Sequence, residues 1–450
     1  MRYILVAVCV LGLALSGRAQ KIKVACVGNS VTYGYLLSER ERDAYPAQLA
    51  RLLGEGYEVG NFGKSGATLL NKGHRPYMKQ PEFRDALAFA GDIVVIHLGL
   101  NDTDPRNWPN YRDEFVSDYR ALIDSFRMVN PGCKIWVCRM TPIGHRHPRF
   151  KSGTRDWHGQ IQQAIEKVAE IARTGLIDLH EELYCRPDLF PDALHPDREG
   201  AGILARTVFS AITGNYGGLQ MPRIYSDNMV LQRGAELRIS GIANAREKVT
   251  VWLGKRKNTV TAGADGKWTA VLKDVEAGGP YQLSIVAPSR AFVYKNVMVG
   301  DVWLCSGQSN MAFMVKQAQG AEEMLAEAAR SRIRLFDMKP RVFTDAVSWD
   351  TADLVAVNRL DYYRPASWQL PDERSVANFS AVAYSFGKML ADSLKVPVGL
   401  ICNAVGGAPT EAFIDRRSLE YNHQLVDILY DWTKKDMIQA WVRGRAVLNM

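Results

Sequence analysis

The chain has 450 residues, of which 47% are hydrophobic and 23% charged, so it is too long for one ordinary compact domain and too apolar to be a disordered chain. Its formal net charge of +8 falls to +6 (8 minus 2) once Arg2 and Arg18 are set aside with an acid-free N-terminal leader. Basic residues are scattered among acids and no nucleic-acid-binding motif is visible, which argues against nucleic acid as a partner and leaves anionic small substrates open.

Residues 1–19 combine an early Arg2, an apolar run from Tyr3 to Leu15, and small residues at Gly17 and Ala19 that suit cleavage before Gln20. The run is shorter than the roughly 20 residues needed to span a bilayer, so the expectation is a signal peptide, an exported protein that is periplasmic or secreted, and no stable membrane insertion. Cys9 leaves with the leader. Of the remaining cysteines, Cys26, Cys138, Cys305 and Cys402 lie in or beside apolar runs and read as small core residues. Export permits a disulfide joining Cys133 to Cys138 or Cys185, but spacing does not establish one.

Residues 20–213 alternate short apolar runs with amphipathic stretches, the pattern of a parallel sheet covered by helices on both faces. Strands are expected at Ile22–Val27, Tyr57–Asn61, Ile93–Leu98, Ile135–Arg139 and Leu176–Leu179. Helices are expected near Tyr45–Leu53, Glu82–Phe89, Arg112–Val129, Asp156–Ala172 and Arg198–Ile212. Five such units make a doubly wound, flavodoxin-like α/β domain. Residues 218–299 change to short alternating runs (Val249–Leu253, Trp268–Leu272, Tyr281–Val286) with turn signals at Asp265-Gly266 and Gly278-Gly279-Pro280. These predict a small all-β, sandwich-like module, with Lys255-Arg256-Lys257 at a hairpin tip. Over residues 300–450 helix and strand alternate again, with strands at Val302–Leu304 and Val398–Asn403 and a helix near Ala381–Leu394. This is a second α/β unit.

In an open α/β sheet, ligands gather at the carboxyl ends of the strands, so the residues that follow each strand are informative. After the first strand comes Gly28-Asn29-Ser30-Val31-Thr32-Tyr33-Gly34, after the second Gly63-Lys64-Ser65-Gly66, and after the third Gly99-Leu100-Asn101-Asp102. Asp192-Ala193-Leu194-His195 precedes the last helix. A serine hydroxyl is a poor nucleophile at neutral pH. His195 is placed to accept its proton, and Asp192, three residues earlier, to hold the imidazole in the useful tautomer. The backbone N–H groups of Ser30 and Gly66 and the amide of Asn101 are candidate donors to the oxyanion of a tetrahedral intermediate. No metal or cofactor is required by this chemistry. After Gly60-x-x-Gly63-x-x-Gly66 no Lys-Ser or Lys-Thr follows in the place a phosphate loop requires, and His145-Arg146-His147 reads as an exposed loop pair without carboxylate company. His97 and His180 lie in or beside strands and read as packed side chains. Trp252 and Trp268 read as core of the β module, with sugar stacking as the alternative.

In order and at successive strand ends, these blocks resemble the SGNH (GDSL-like) hydrolase family over residues 22–212, the family's Ser, Gly, Asn and Asp-x-x-His being carried by Ser30, Gly66, Asn101, Asp192 and His195. Asn29 departs from the Asp that many members place before the serine. Met229-Val230-Leu231-Gln232-Arg233, Gly266-Lys267-Trp268 and Gly300-Asp301-Val302-Trp303-Leu304-Cys305-Ser306-Gly307-Gln308-Ser309-Asn310-Met311 in turn resemble the sialate O-acetylesterase family. In that family a β module precedes an SGNH-type domain. The resemblance makes Ser309 a nucleophile candidate, with Gly406 or Gly407 of Ala404-Val405-Gly406-Gly407 as donor. The family's Trp-x-Gln-Gly-Glu block and late Asp-x-x-His do not occur before Met450. The second unit therefore reads as incomplete, either a fragment or a unit reduced to binding or structure, with the abrupt end favouring the fragment. Together the resemblances imply an exported serine esterase that removes O-acetyl groups from carbohydrates, sialic acid favoured, with an acetylated glycan as its binding partner. The same machinery turned on xylan or lipid esters, or a non-catalytic glycan-binding protein, are the alternatives. The sequence leaves oligomeric state open.

Overall fold

The computed structural model describes residues 20–148, 150–342, 350–426, 428–431 and 447–448. The expected leader, residues 1–19, lies outside them. Among the described residues no helix is long and apolar enough to cross a membrane.

The five apolar runs of the first segment form β1 (Ile22–Gly28), β2 (Tyr57–Gly63), β3 (Ile93–His97), β4 (Lys134–Arg139) and β5 (Gly175–Asp178). All neighbours pair in parallel, in the order β2-β1-β3-β4-β5 of a flavodoxin-like doubly wound sheet. The central strands are sealed on both faces. Val24 to Val27 and Val95–Ile96 are fully buried, so these runs are continuously apolar and do not alternate.

Ser30–Tyr33 forms the single-turn α1, which joins β1 to the helical layers. The layers comprise α2 (Tyr45–Leu53), α3 (Pro81–Phe89), α4 (Phe115–Val129), α5 (Arg155–Ala172) and α6 (Arg198–Thr213). The expected helix over Arg112–Val129 begins instead at Phe115, because Arg112–Glu114 is wound as a 3₁₀ turn. In α2, Tyr45 and Leu49 stand one turn apart on the same face and are fully buried, while Pro46 sits in the first turn where its missing N–H costs nothing. Truncating Leu49 to alanine in such a site costs about 2–5 kcal/mol.

The β module contains β6 (Val230–Gln232), β7 (Glu236–Ile242), β8 (Lys248–Leu253), β9 (Arg256–Thr261), β10 (Lys267–Lys273), β11 (Gly278–Ala287) and β12 (Arg290–Gly307). β7 and β10 pair as a two-stranded sheet across a core of Leu237, Ile239, Val251, Trp268 and Ile285. Trp268 is buried, as expected. Trp252 is only partly covered and Lys257 lies over its ring. The hairpin tip is Gly254-Lys255, and Arg256 and Lys257 belong to β9. Gly278–Pro280, read as a turn, is instead the start of β11, accommodated by register shifts against β12.

β12 does not stop at the anticipated boundary between residues 299 and 300. Its first part pairs with β11. Its last seven residues pair in parallel with β15 (Val398–Ala404), which pairs with β13 (Ile333–Asp337), and β14 (Trp368–Gln369) closes that edge antiparallel. One strand thus carries the chain from the β module into the second α/β unit. α7 (Ser309–Ala312) follows β12, α8 (Ala381–Leu394) packs on β15, and α9 (Arg416–Tyr421) reaches back to the first unit.

All six described cysteines are free, so the disulfide permitted for Cys133 is not formed. Cys26, Cys138, Cys305 and Cys402 are buried, as small core residues.

Candidate active site

The strand ends converge on one edge of the first sheet. Asn29 caps α1, its side-chain oxygen accepting from Val31 N at 2.9 Å, which places Ser30 in the first turn. A Cβ on Gly28 would lie 2.1 Å from Thr32 Oγ1, so the strand can turn this tightly into the helix only with glycine there.

Ser30 Oγ lies 2.8 Å from His195 Nε2, and His195 Nδ1 lies 2.6 Å from Asp192 Oδ2. The other carboxylate oxygen accepts from Leu194 N at 3.0 Å and His195 N at 2.7 Å, so one Asp192 side chain fixes both the loop and the ring. Burial pushes the Asp192 carboxyl up, but the hydrogen bonds from the His195 ring and backbone outweigh it and hold the group below its usual value. A carboxylate that stays ionised keeps the Nδ1 proton on its own side of the ring, leaving Nε2 to accept from Ser30. The loop is also tied from behind, where Gly144 N donates to Ala193 O at 2.7 Å.

Gly66 adopts φ +76°, and its N–H has no hydrogen-bond partner among the described residues. The face where a Cβ would stand is occupied by Arg75, whose Nη1 is 3.2 Å from that position and donates to Ser65 O at 3.0 Å. Glycine is favoured here by the left-handed backbone, while the exposed Arg75 side chain would need to give only slightly to admit a Cβ. Asn101 stands on the 3₁₀ turn after β3. Its Nδ2 donates to Ala67 O at 3.0 Å, which occupies one amide hydrogen and leaves the second.

Two residues without assigned roles in the sequence reading hold these donors in register. Asp102, fully buried, accepts from Leu69 N and Leu70 N, both at 2.9 Å, and so clamps the loop after β2 to the turn after β3. Burial pushes its carboxyl up to about 7 against the opposing pull of those two N–H groups. Asn107, also fully buried, donates to Asn101 O at 2.8 Å and accepts from His74 N at 3.0 Å. A buried Asp beside a candidate donor Asn gives no signal in sequence beyond its adjacency. Its role depends on which backbone faces it in the fold.

The remaining histidines are not recorded as contacting Ser30. His97, His158 and His180 are buried in the first unit and each is pushed down to about 4, chiefly by burial, so they are neutral packing groups. His145, read as an exposed loop residue without carboxylate company, is instead buried, with Glu420 Oε1 at 3.9 Å. The contact comes from α9, a helix distant in sequence: Glu420, itself buried, accepts from Tyr184 Oη at 2.5 Å and from Arg416 Nε at 3.1 Å, while its backbone oxygen accepts from Arg155 at 2.7 Å. A cleft of roughly 410 Å³ lies along this seam, lined by Arg139, His158, Gln162, His180, Tyr184 and Tyr421. Among the described residues no three His, Cys, Asp or Glu side chains are grouped to hold a metal ion.

In the second unit, Ser309 opens α7 and is exposed, 3.9 Å from the position a Cβ would take on Gly406, and Gly407 adopts φ +77°. Serine and candidate donor loop are therefore adjacent. His423 is the sole histidine of the chain beyond His195.

Residues 26–203 match the GDSL-like Lipase/Acylhydrolase family. Among curated proteins, the chain is 38% identical over 209 residues to an acetylxylan esterase of Xylanibacter ruminicola, covering 42% of this chain and 43% of that protein. It is 34% identical over 209 residues to the sialate O-acetylesterase of Rattus norvegicus (44% and 38% covered) and 33% over 216 residues to that of Homo sapiens (45% and 40%). The matches thus span less than half the length of these relatives. Among solved structures, a carbohydrate acetylesterase from Xanthomonas citri is similar with a TM-score of 0.38 and 29% identity, covering 45% of this chain and 44% of that one.

Proposed function

We propose that this chain, with its GDSL-like hydrolase unit over residues 26–203, is an exported serine esterase that removes O-acetyl groups from carbohydrates, O-acetylated sialic acid being the favoured substrate. The observation that carries the reading is the unbroken hydrogen-bonded chain from Ser30 Oγ through His195 to Asp192. Ser30 Oγ bonds to the ester carbon as its proton passes to His195 Nε2. The electron pair of the carbonyl double bond moves onto the carbonyl oxygen, whose negative charge is met by Ser30 N–H, Gly66 N–H and the second Asn101 amide hydrogen. The bond to the sugar oxygen breaks, and that oxygen takes the proton from Nε2. Water repeats the sequence: its oxygen bonds to the acyl carbon, its proton goes to Nε2 and on to Ser30 Oγ as that bond breaks, and acetic acid leaves.

Support for a carbohydrate ester comes from the relatives, whose names cover both acetylxylan and sialate. An acidic sugar is favoured by Arg75, a guanidinium packed over Gly66 whose recorded polar contact is the neutral Ser65 oxygen. The 38% identical acetylxylan esterase favours the second reading, acetylated xylan. Acetate release from O-acetylated N-acetylneuraminic acid and from acetylated xylan tests the choice, with Arg75→Gln expected to weaken turnover of the acidic sugar preferentially. Ser30→Ala is expected to abolish release and Ser309→Ala to leave it intact. Loss with Ser309→Ala alone would overturn the assignment. Sequencing the mature N-terminus checks export, which requires it to begin at or near Gln20.

A further inference from the structure

Directly after the catalytic turn the chain exposes two large apolar residues in succession. Gly34, at φ +89°, ends α1, and Tyr35 and Leu36 follow with 46% and 59% of their surfaces exposed. Tyr35 is not loosely placed: its N–H donates to Ser30 O at 3.0 Å, and its ring lies 4.8 Å, centroid to centroid, from the His195 imidazole at a tilt of 55°. An aromatic side chain that touches the base and is open to solvent, on a residue whose backbone N–H is tied to the nucleophile's carbonyl, has little to contribute to the core.

The chemistry fixes what this ring would face. His195 Nε2 returns its proton to the leaving oxygen, so that oxygen must come within about 3 Å of Nε2, and the carbon skeleton of the alcohol must lie just beyond it. The acetyl carbonyl points the other way, towards Gly66 and Asn101. Tyr35, whose exposed ring lies against the imidazole, is near enough to border that leaving-group space. A flat aromatic ring there suits a pyranose, whose C–H face is apolar while its hydroxyls remain in water.

We infer that Tyr35 is the platform on which the sugar ring of the substrate stacks, making it a specificity-determining residue for the alcohol half of the ester. The inference rests on the esterase reading and extends it from the acyl group to the leaving group.

The test compares two acetate esters, a mono-O-acetylated hexopyranoside and ethyl acetate, by acid release in a pH-stat, each variant being referred to the parent's own ratio. Tyr35→Ala is expected to lower the ratio of kcat/KM for the sugar ester over ethyl acetate by about 10- to 100-fold, mainly through KM, since one lost pocket contact is worth that much. Tyr35→Phe, which keeps the ring, is expected to retain the parent ratio. Equal loss on both esters, or a shifted pH midpoint of kcat/KM in Tyr35→Ala, would mean that Tyr35 only positions His195, and overturns the platform. An unchanged ratio overturns it as well. A parent protein inactive on both esters overturns the esterase reading itself, a failure distinct from the other two.

Discussion

On the proposed esterase reading, replacing Asn101 by alanine removes an amide with two purposes, and the two losses are separable. One hydrogen of Nδ2 is given to Ala67 O at 3.0 Å, leaving the other for the oxyanion. The tether is the smaller loss: a typical neutral hydrogen bond contributes about 1 kcal/mol. The oxyanion donor is worth more, because it is pre-aimed in a largely desolvated site. About 3 kcal/mol of barrier corresponds to roughly a 150-fold fall in kcat at one factor of ten per 1.4 kcal/mol. Asn101→Ala is therefore expected to melt within a few degrees of the parent and to lose about two orders of magnitude in kcat, with KM for ethyl acetate changed by less than about threefold. Steady-state kinetics on ethyl acetate beside a thermal melt measure both. A fall in kcat below about fivefold, or a loss confined to KM, would show that Asn101 does not meet charge developed in the transition state.

Gly66→Ala is expected to destabilise the protein by about 1–2 kcal/mol through the left-handed backbone at φ +76° and to displace Arg75, which chemical denaturation and activity together report. For Asp102, the folded-state value of about 7 lies above the ordinary 3.8, so between those pH values the native protein holds a proton that the unfolded chain has lost. Its contribution to stability is then full below about pH 4 and is lost as pH rises towards 7; Asp102→Asn should flatten that part of a stability–pH profile measured by denaturant unfolding. Glu420→Ala removes the buried acceptor shared by Tyr184 and Arg416 and is expected to cost about 3 kcal/mol locally, loosening α9 from the first unit, with faster amide exchange at Arg416–Tyr421 and Glu181–Tyr184 as the readout.

The amino-acid sequence by itself determined the first sheet, because runs buried on both faces must be continuously apolar and the helices between them must show a single apolar stripe. It also anticipated that Ser30, His195 and Asp192 meet at one edge, since a parallel sheet delivers the residues after its strands there whatever the details of packing. What only the tertiary structure decided is everything that depends on a partner distant in the chain. Asp102 finds Leu69 and Leu70, His145 is buried against a carboxylate more than 270 residues later, β12 runs unbroken through an expected boundary, and Tyr35 settles against His195. Periodicity records which face of a segment is buried. It does not record which other segment buries it, and a hydrogen bond or ring contact within about 5 Å is specified only when two such faces have met.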